Sequence, residues 1–221
     1  MVKDRTDTWA LRVAKVIDRW VRWGLRHWLL WVNAAFFLYV VLPLLAPFFM
    51  SMGWETAGRI IYLVYRPFCH QLPERSFFLF GPKGIAALTL PQLQAYGLDP
   101  ALSPWQRRFF LGSPELGYKM AFCERDFALY GGFLLMGLLY GLTRRYWRPL
   151  SWRWYFVSLL PMALDGGTQL VGLRESTWWL RLFTGALVAW TTVWALYPRM
   201  DQVMRDSLAE THVKEVATPV S

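Results

Sequence analysis

Four long apolar runs recur along the chain, and their lengths approach or reach the thickness of a membrane. The first covers residues 29–50, where Asn33 is the only polar side chain. About 20 residues of α-helix span a hydrocarbon core of about 30 Å. The other runs cover residues 127–142, 154–173 and 178–197. The pattern predicts an all-α fold, a polytopic membrane helix bundle of about four transmembrane helices.

The stretch between the first and second runs has a different pattern. Residues 54–68 are partly apolar, but the uncharged run between their two arginines is only six residues long. We therefore interpret 54–68 as interfacial or re-entrant, although a crossing there would change the topology. Prolines then divide residues 81–117 into short turns and one or two small amphipathic helices. The whole of 51–125 is predicted to lie on the outer, non-cytoplasmic side of the membrane.

The N-terminal residues 1–28 form an amphipathic leader. Residues 9–26 place apolar side chains at helical spacing, and arginine and lysine occupy most of the remaining arc. This pattern is typical of a helix in the headgroup region, where indoles lie at the interface and basic groups meet anionic lipid. The alternative is a soluble amphipathic helix packed on a partner.

Composition favours a lipid environment and limits the classes of function. Hydrophobic residues make up 55% of the 221 residues, and aromatic residues 18%. The net charge of +9 comes from short basic clusters beside the apolar runs, and we find no nucleic-acid-binding motif. We therefore expect the lipid bilayer as a partner and no nucleic acid. The sequence does not predict an oligomeric state.

The basic clusters also predict an orientation. Residues 1–28 carry seven Lys or Arg against three acids, and residues 143–153 carry four arginines and no acid. Positively charged flanks are retained in the cytoplasm. The leader, this loop and the tail 198–221 should therefore be cytoplasmic, on either side of a membrane domain at 29–197. The protein is then integral to the cell membrane, with both termini cytoplasmic and 51–125 outside.

Cysteine and histidine are rare in this chain, yet they cluster in the outer segment. Cys69 and His70 are adjacent, and Cys123 and Asp126 are three residues apart where the second run begins, so one helical face would carry both. Thiolates, an imidazole and a carboxylate can form a tetrahedral zinc site, or an iron site with an open position. These four residues are candidate metal ligands, with zinc or iron as the candidate cofactor.

Two other interpretations of the cysteines stay open. A disulfide between Cys69 and Cys123 would close a loop of 53 intervening residues. Such a bridge would stabilise the fold by about 2–4 kcal/mol and is expected outside the cytoplasm. Alternatively, both thiols stay unpaired in a packed polar site.

The third run contains an acid that needs a partner. Asp165 and Gln169 share one helical face, and an Asp at mid-membrane costs about 2.5–3.5 kcal/mol on insertion scales. Arg181 in the fourth run is the first candidate partner, and Arg125 and Arg174 are the alternatives. The resulting ion pair would either take part in chemistry or only lock the helices together.

The outer face also gathers arginines. Arg75, followed by Ser76, joins Arg125, Arg174 and Arg181 in a region with few carboxylates. Guanidinium groups suit phosphate and carboxylate, so an anionic lipid headgroup or an isoprenoid phosphate is a candidate ligand. The alternative is that these arginines only snorkel to the headgroups. The candidate ligand-binding residues are Arg75, Ser76 and Arg125, and the candidate catalytic residues are Asp165, Gln169, Arg174 and Arg181.

Three ordered segments together resemble a family of small prokaryotic membrane proteins catalogued as domain of unknown function 2085. They are CHQLPERSFFLFG, MAFCERDFALYGG and DGGTQLVGLRESTWWLRLFTG, and the resemblance covers about residues 55–190. Some relatives carry a cysteine where Asp126 stands, which weakens an all-thiolate site here and permits a carboxylate ligand. The resemblance implies no reaction. The positions that match the family pattern are Cys69, His70, Gln71, Arg75, Ser76, Cys123, Arg125, Asp165, Gly166, Gln169, Gly172, Arg174, Ser176, Arg181, Thr184 and Gly185.

The sequence thus leaves three classes of function. The first is a metal-dependent enzyme or metal-binding protein whose polar site lies at the outer membrane face and acts on or binds an anionic lipid. The second is a non-enzymatic lipid-binding or complex-assembly subunit in which Cys69 and Cys123 form a disulfide. The third is a transporter, for which four spans are few unless the protein oligomerises.

Overall fold

The computed structural model describes residues 3–82 and 84–217. Within these residues the chain forms eight α-helices and four short β-strands. The helices are α1 (Lys3–Arg26), α2 (Trp28–Ser51), α3 (Glu55–Tyr65), α4 (Leu90–Gln94), α5 (Pro104–Arg107), α6 (Glu124–Thr143), α7 (Trp152–Leu170) and α8 (Trp178–Ala217). The strands are β1 (Phe77–Gly81), β2 (Gly84–Ala87), β3 (Gly112–Ser113) and β4 (Gly117–Lys119).

Three of the helices in the described part of the chain are long and apolar enough to cross a membrane. They are α2, α6 with the 3₁₀ turn that extends it to Tyr146, and α8 as far as Glu210. Helix α7 covers most of the third predicted run, but Arg153, Asp165 and Gln169 make it less apolar, and it is not among the three. The structure therefore supports three candidate spans by length and composition, where the sequence predicted about four.

Helices α2, α6, α7 and α8 alternate in direction along the chain. At one end, Trp28 of α2 donates from Nε1 to Asp201 of α8, and Trp194 of α8 donates to the carbonyl of Arg148 before α7. We call this end, which includes the loop 143–153, the basic end. At the opposite end, which we call the site end, α2 and α7 finish and α6 and α8 begin. Polar residues of α6, α7 and α8 meet there.

Helix α7 lies beside α8 over much of its length. The Ser158 hydroxyl donates to Thr191 at 2.9 Å, and Thr192 donates to the Tyr155 hydroxyl at 3.3 Å. The opposite face of α7 exposes large apolar side chains, namely Phe156, Val157, Leu160 and Leu164. This helix is therefore polar toward the bundle and apolar away from it.

The segment between α2 and α6 corrects the all-α prediction. It forms a small lobe in which the four strands make an antiparallel sheet of order β2-β1-β4-β3, with Phe78 opposite Lys119. Helix α3 packs against α2 and has only 11 residues, too few to cross a bilayer. The strands are two to five residues long, so they carry no alternating pattern that the sequence could reveal.

The two ends of the chain are helical as well. Helix α1 exposes Trp9, Val16 and Trp20, as an amphipathic leader should. At the other end, α8 continues through Pro198, where the sequence predicted that a separate tail begins. Proline removes one helical hydrogen bond but does not end this helix. Beyond Pro198, the Asp201 side chain is buried beside Trp28.

Candidate functional site

Two cysteines and a histidine converge at the site end. Their ligand atoms, the Sγ atoms of Cys69 and Cys123 and a ring nitrogen of His70, all lie within 4.8 Å of one another. Both cysteines are free. The thiols are buried, with 5% and 6% of each residue exposed, whereas His70 is exposed. The cluster is therefore enclosed on its sulfur side and open on its imidazole side.

A sharp turn lets the adjacent residues Cys69 and His70 reach the same point. The chain leaves α3 and turns at Gln71, whose φ of 52° lies in the left-handed region that non-glycine residues rarely adopt. Nδ1 of His70 then lies 3.9 Å from Sγ of Cys69 and accepts the Leu72 N–H at 3.4 Å. Such conformations persist where the surroundings hold them, often at functional sites.

Buried polar groups hold this turn. The Gln71 side-chain amide donates to the carbonyls of Tyr62 at 2.9 Å and Ala121 at 3.2 Å. The ammonium of Lys119 donates hydrogen bonds to the Gln71 carbonyl at 2.7 Å and to the Arg108 carbonyl at 2.6 Å. Gln71 and Lys119 are almost completely buried. The position of the Cys69–His70 pair is thus fixed by residues of α3, the lobe and the approach to α6.

Both sulfur atoms lie at the N-terminus of α6. Sγ of Cys69 accepts the N–H of Cys123 at 3.2 Å, and Sγ of Cys123, the N-cap residue, accepts the N–H of Asp126 at 3.4 Å. The hydrogen bond from the Cys123 thiol lowers the pKa of Cys69, and His70 acts in the same direction. The pKa of Cys123 is raised by this bond and by burial. Cys69 is therefore the thiolate of the pair, as a helix N-terminus favours.

The residues present fit a zinc or iron ion. Bonds of about 2.3 Å to sulfur and about 2.0–2.1 Å to nitrogen in a tetrahedral site put ligand atoms about 3.5–3.8 Å apart. The separation of 3.9 Å between Cys69 and His70 is close to this spacing. Asp126, the fourth predicted ligand, lies outside the three-residue cluster, but its carboxyl group is close enough to affect the pKa of both thiols.

An aromatic shell surrounds the sulfur side of the cluster. Tyr65 and Phe122 make an edge contact with centroids 5.1 Å apart, and Tyr39 and Tyr130 make another at 4.7 Å. These rings pack with both cysteines in one buried cluster that joins α2, α3 and α6. The two thiols are therefore packed among aromatic rings on their buried side.

A second polar network surrounds Asp165, which is 2% exposed. Its carboxylate pairs with Arg125 of α6, pairs with Arg174 at 2.7 Å, and accepts the Ser176 hydroxyl at 2.9 Å. Gly166 makes room for Arg125, since a Cβ there would lie 3.1 Å from the guanidinium. Both carboxylate oxygens of Asp165 thus have partners. These partners are not residues of the thiol cluster.

Arg181 has a different partner from the one that the sequence favoured. It pairs with Glu124 of α6 at 2.8 Å and donates to the carbonyls of Glu74 and Ser176. The first candidate partner of Asp165 was therefore wrong, and the two alternatives, Arg125 and Arg174, are its partners. Glu124 was not among the residues predicted from the sequence, although its position beside Arg125 and Asp126 in the first turn of a helix was an available signal.

A cavity of about 590 Å³ opens beside these networks, between the lobe and the ends of α7 and α8. Arg75, Gln169 and Arg181 line it, together with Glu175. Arg125 is not in its wall, and the Ser76 hydroxyl donates to the Leu72 carbonyl at 3.0 Å. The structure does not bring Arg75, Ser76 and Arg125 to one ligand position.

Comparison with known proteins places these residues in a family. A family model described as predicted membrane protein (DUF2085) matches residues 106–195. An uncharacterised protein of Methanocaldococcus jannaschii is 30% identical over 182 residues, which cover 79% of this chain and 93% of the archaeal protein. No solved structure matches the chain. The chain therefore belongs to the DUF2085 family of predicted membrane proteins.

Proposed function

We propose that this membrane protein binds a transition metal ion, zinc or iron, through Cys69, His70 and Cys123. The observation that carries the proposal is the convergence of these three ligand atoms within 4.8 Å, although Cys69 and Cys123 are 54 residues apart in the chain. The thiolate of Cys69 is the form that coordinates metal. The hydrogen-bonded turn at Gln71 gives the cluster the rigid support that metal sites need.

The number of ligands favours a site that keeps one position open. Structural zinc sites use four protein ligands, whereas catalytic sites use three and leave the fourth to water or substrate. The exposed His70 side is where such a position would lie, and Asp126, whose carboxyl group influences the pKa of both thiols, would orient a bound water there. A metal there would act as a Lewis acid toward that water or substrate.

We further propose that α7 is a fourth membrane crossing and that the metal site lies on the non-cytoplasmic side. Helix α7 runs beside α8 and turns an apolar face outward, which suits lipid, while its buried Asp165 faces the bundle. The arginine-rich loop 143–153 belongs at the basic end, which the positive-inside rule assigns to the cytoplasm. Both chain termini are then cytoplasmic.

Metal analysis of the full-length protein tests the proposed function. The protein is purified without chelator under anaerobic conditions, and zinc and iron are counted by mass spectrometry. We expect about one ion per chain, and we expect Cys69→Ser and Cys123→Ser each to lose most of it, because each removes one of three ligands. Metal-free protein under these conditions contradicts the proposal.

The same proximity of the two thiols favours a second candidate, a non-enzymatic subunit stabilised by a Cys69–Cys123 disulfide. Both proposals predict that the two thiols lie close together. Only the metal site predicts that the thiols are protected from oxidation. A bound ion should keep both thiols unmodified by a mild oxidant, and chelation should expose them to cross-linking. Protein that is cross-linked as isolated, with no bound metal, would assign the pair to the disulfide.

A further inference from the structure

The carboxylate of Glu175 lies among three donors that come from three different parts of the fold. Nη2 of Arg75 approaches it at 3.4 Å, Nε2 of Gln169 at 3.1 Å and Nη2 of Arg181 at 3.8 Å. These residues belong to the turn before β1, the end of α7 and the first turn of α8. Two guanidinium groups and an amide that converge on one carboxylate define an oxyanion position.

Glu175 itself is held loosely at this position. Its side chain is 74% exposed, whereas those of Arg75 and Arg181 are 19% and 6% exposed. It lies in the short loop between α7 and α8. Its two ion pairs are long, and exposed ion pairs of this kind are weak. An external anion can therefore take the place of this carboxylate while the two arginines stay where they are.

The other charges of the cavity wall are already paired. Arg107 bonds Glu74 at 3.2 Å and Arg181 bonds Glu124 at 2.8 Å, both with little exposure. Among the described residues, Arg75 forms its ion pair with Glu175. Within the described part of the chain, Nε of the buried Arg181 has no hydrogen-bond partner. Displacement of Glu175 would leave the cavity with one positive charge in excess.

Much of the rest of the cavity wall is apolar, and it includes side chains at the end of α7 and the start of α8. Leu88 and Leu90 of the lobe face Leu170 at the end of α7 and Trp178 at the start of α8. Leu170 and Trp178 are themselves exposed, where α7 and α8 reach the site end of the bundle. Indole side chains are typical of the membrane interface. This apolar side of the cavity suits a hydrocarbon chain, and its exposed Leu170 and Trp178 suit contact with lipid.

We propose that this cavity binds a membrane amphiphile with an anionic phosphate headgroup, and that Glu175 is a tethered competitor for the headgroup position. The phosphate takes the place of the Glu175 carboxylate between Arg75 and Arg181, and the hydrocarbon chain lies along Leu170 and Trp178. The N-terminus of α8, where Thr177 and Trp178 line the cavity, adds to the positive potential. None of the proposed metal ligands lines this cavity, so the site stands apart from the proposed metal function.

The test uses the delipidated full-length protein in neutral detergent, titrated with dioleoyl phosphatidylglycerol and followed by native mass spectrometry. Arg75→Gln should weaken binding about tenfold or more, because one charge-assisted hydrogen bond is lost. Glu175→Gln should strengthen it about threefold, since the variant keeps the shape of the side chain and removes the competing charge. Phosphatidylcholine with the same acyl chains should bind more weakly and respond to neither substitution.

Two controls separate this site from general effects of charge and from the metal cluster. Arg145→Gln removes a basic charge at the opposite end, where the guanidinium stacks on Tyr146, and should not change binding. Metal content should be the same in all three variants. Binding that is unchanged by Arg75→Gln, or weakened by Glu175→Gln, would overturn the proposal. Complete displacement of the lipid by inorganic phosphate would assign the site to a free anion and overturn the lipid ligand.

Discussion

Sγ of Cys69 accepts the backbone N–H of Cys123 at 3.2 Å, across 53 intervening residues. This contact joins the turn after α3 to the first turn of α6. It places one thiolate at a helix N-terminus, where positive potential favours it. The intervening residues form the lobe, so the fold of the lobe is what brings the two thiols together.

His70→Ala should weaken metal binding about tenfold or more without unfolding the protein. The imidazole is exposed, and its loss removes one ligand but no buried packing. Competition with a coloured chelator measures the affinity. The matched control is His27→Ala, an exposed histidine at the basic end that contacts the Trp23 carbonyl. Equal effects of the two substitutions would show that His70 is not a ligand.

Asp165→Asn should lower the free energy of unfolding by about 3 kcal/mol, because it leaves buried guanidinium charge without a counter-charge. Arg125 is 18% exposed in its side chain and cannot regain much hydration. Metal content should stay unchanged, since Asp165 contacts no residue of the thiol cluster in the structure. Denaturant unfolding in detergent measures the free energy of unfolding, and metal analysis measures the metal content.

Arg174→Gln should destabilise the protein less than Asp165→Asn does. The Arg174 side chain is 44% exposed, so its loss should cost about 1 kcal/mol or less. Asp165 keeps Arg125 and the Ser176 hydroxyl in this variant. If Arg174→Gln were as destabilising as Asp165→Asn, the carboxylate would depend on Arg174 more than the structure indicates.

Gly185→Ala should destabilise the contact between α6 and α8 by about 1–3 kcal/mol. A Cβ at this position would lie 2.7 Å from the Arg125 carbonyl oxygen and 3.1 Å from Cβ of Ala128. The control is Gly167→Ala in α7, where an added Cβ meets nothing within 4 Å. That variant should be neutral or more stable, because alanine favours a helix by about 0.5–1 kcal/mol. Thermal unfolding of both variants decides the comparison.

Stability should depend on pH through Lys119. Burial lowers the pKa of this lysine from its ordinary value of 10.5 to about 7. Between these values the unfolded chain binds one more proton at this position than the folded protein, so the free energy of unfolding rises with pH. Lys119→Met should remove this rise. Thermal unfolding from about pH 7 to about pH 9 measures it, with Cys69 and Cys123 replaced by serine so that no thiol titrates. If stability depends on pH in the same way with Lys119 and with Lys119→Met, the lowered pKa of Lys119 is contradicted.

The long helices are predictable from sequence because local composition determines them. The first run was predicted at 29–50, and α2 covers Trp28–Ser51. The sheet was not predictable, because β1 pairs with β4 about 40 residues away and the strands are too short for a repeating pattern. The sequence predicted a last span at 178–197 followed by a tail, because charged residues begin at Arg199, whereas α8 continues as one helix to Ala217.

The residue types of the site were predictable from the sequence, but the ion pairs among its charged residues were not. Cys69, His70 and Cys123 stand out because thiols and imidazoles are rare in this chain. The choice of ionic partners depends on helix rotation, since successive residues of a helix point about 100° apart. In the first turn of α6, Glu124 therefore meets Arg181, whereas Arg125 meets Asp165. Without the packing of α7 and α8, the sequence does not distinguish these pairs.

X-ray absorption at the metal edge of the purified, metal-loaded protein tests the central claim most directly, because it reads the ligand atoms themselves. For zinc, we expect two sulfur ligands at about 2.3 Å and at least one imidazole nitrogen at about 2.0–2.1 Å. Cys69→Ser should remove one of the sulfur ligands. A shell of oxygen and nitrogen alone, or a spectrum unchanged in Cys69→Ser, would contradict it.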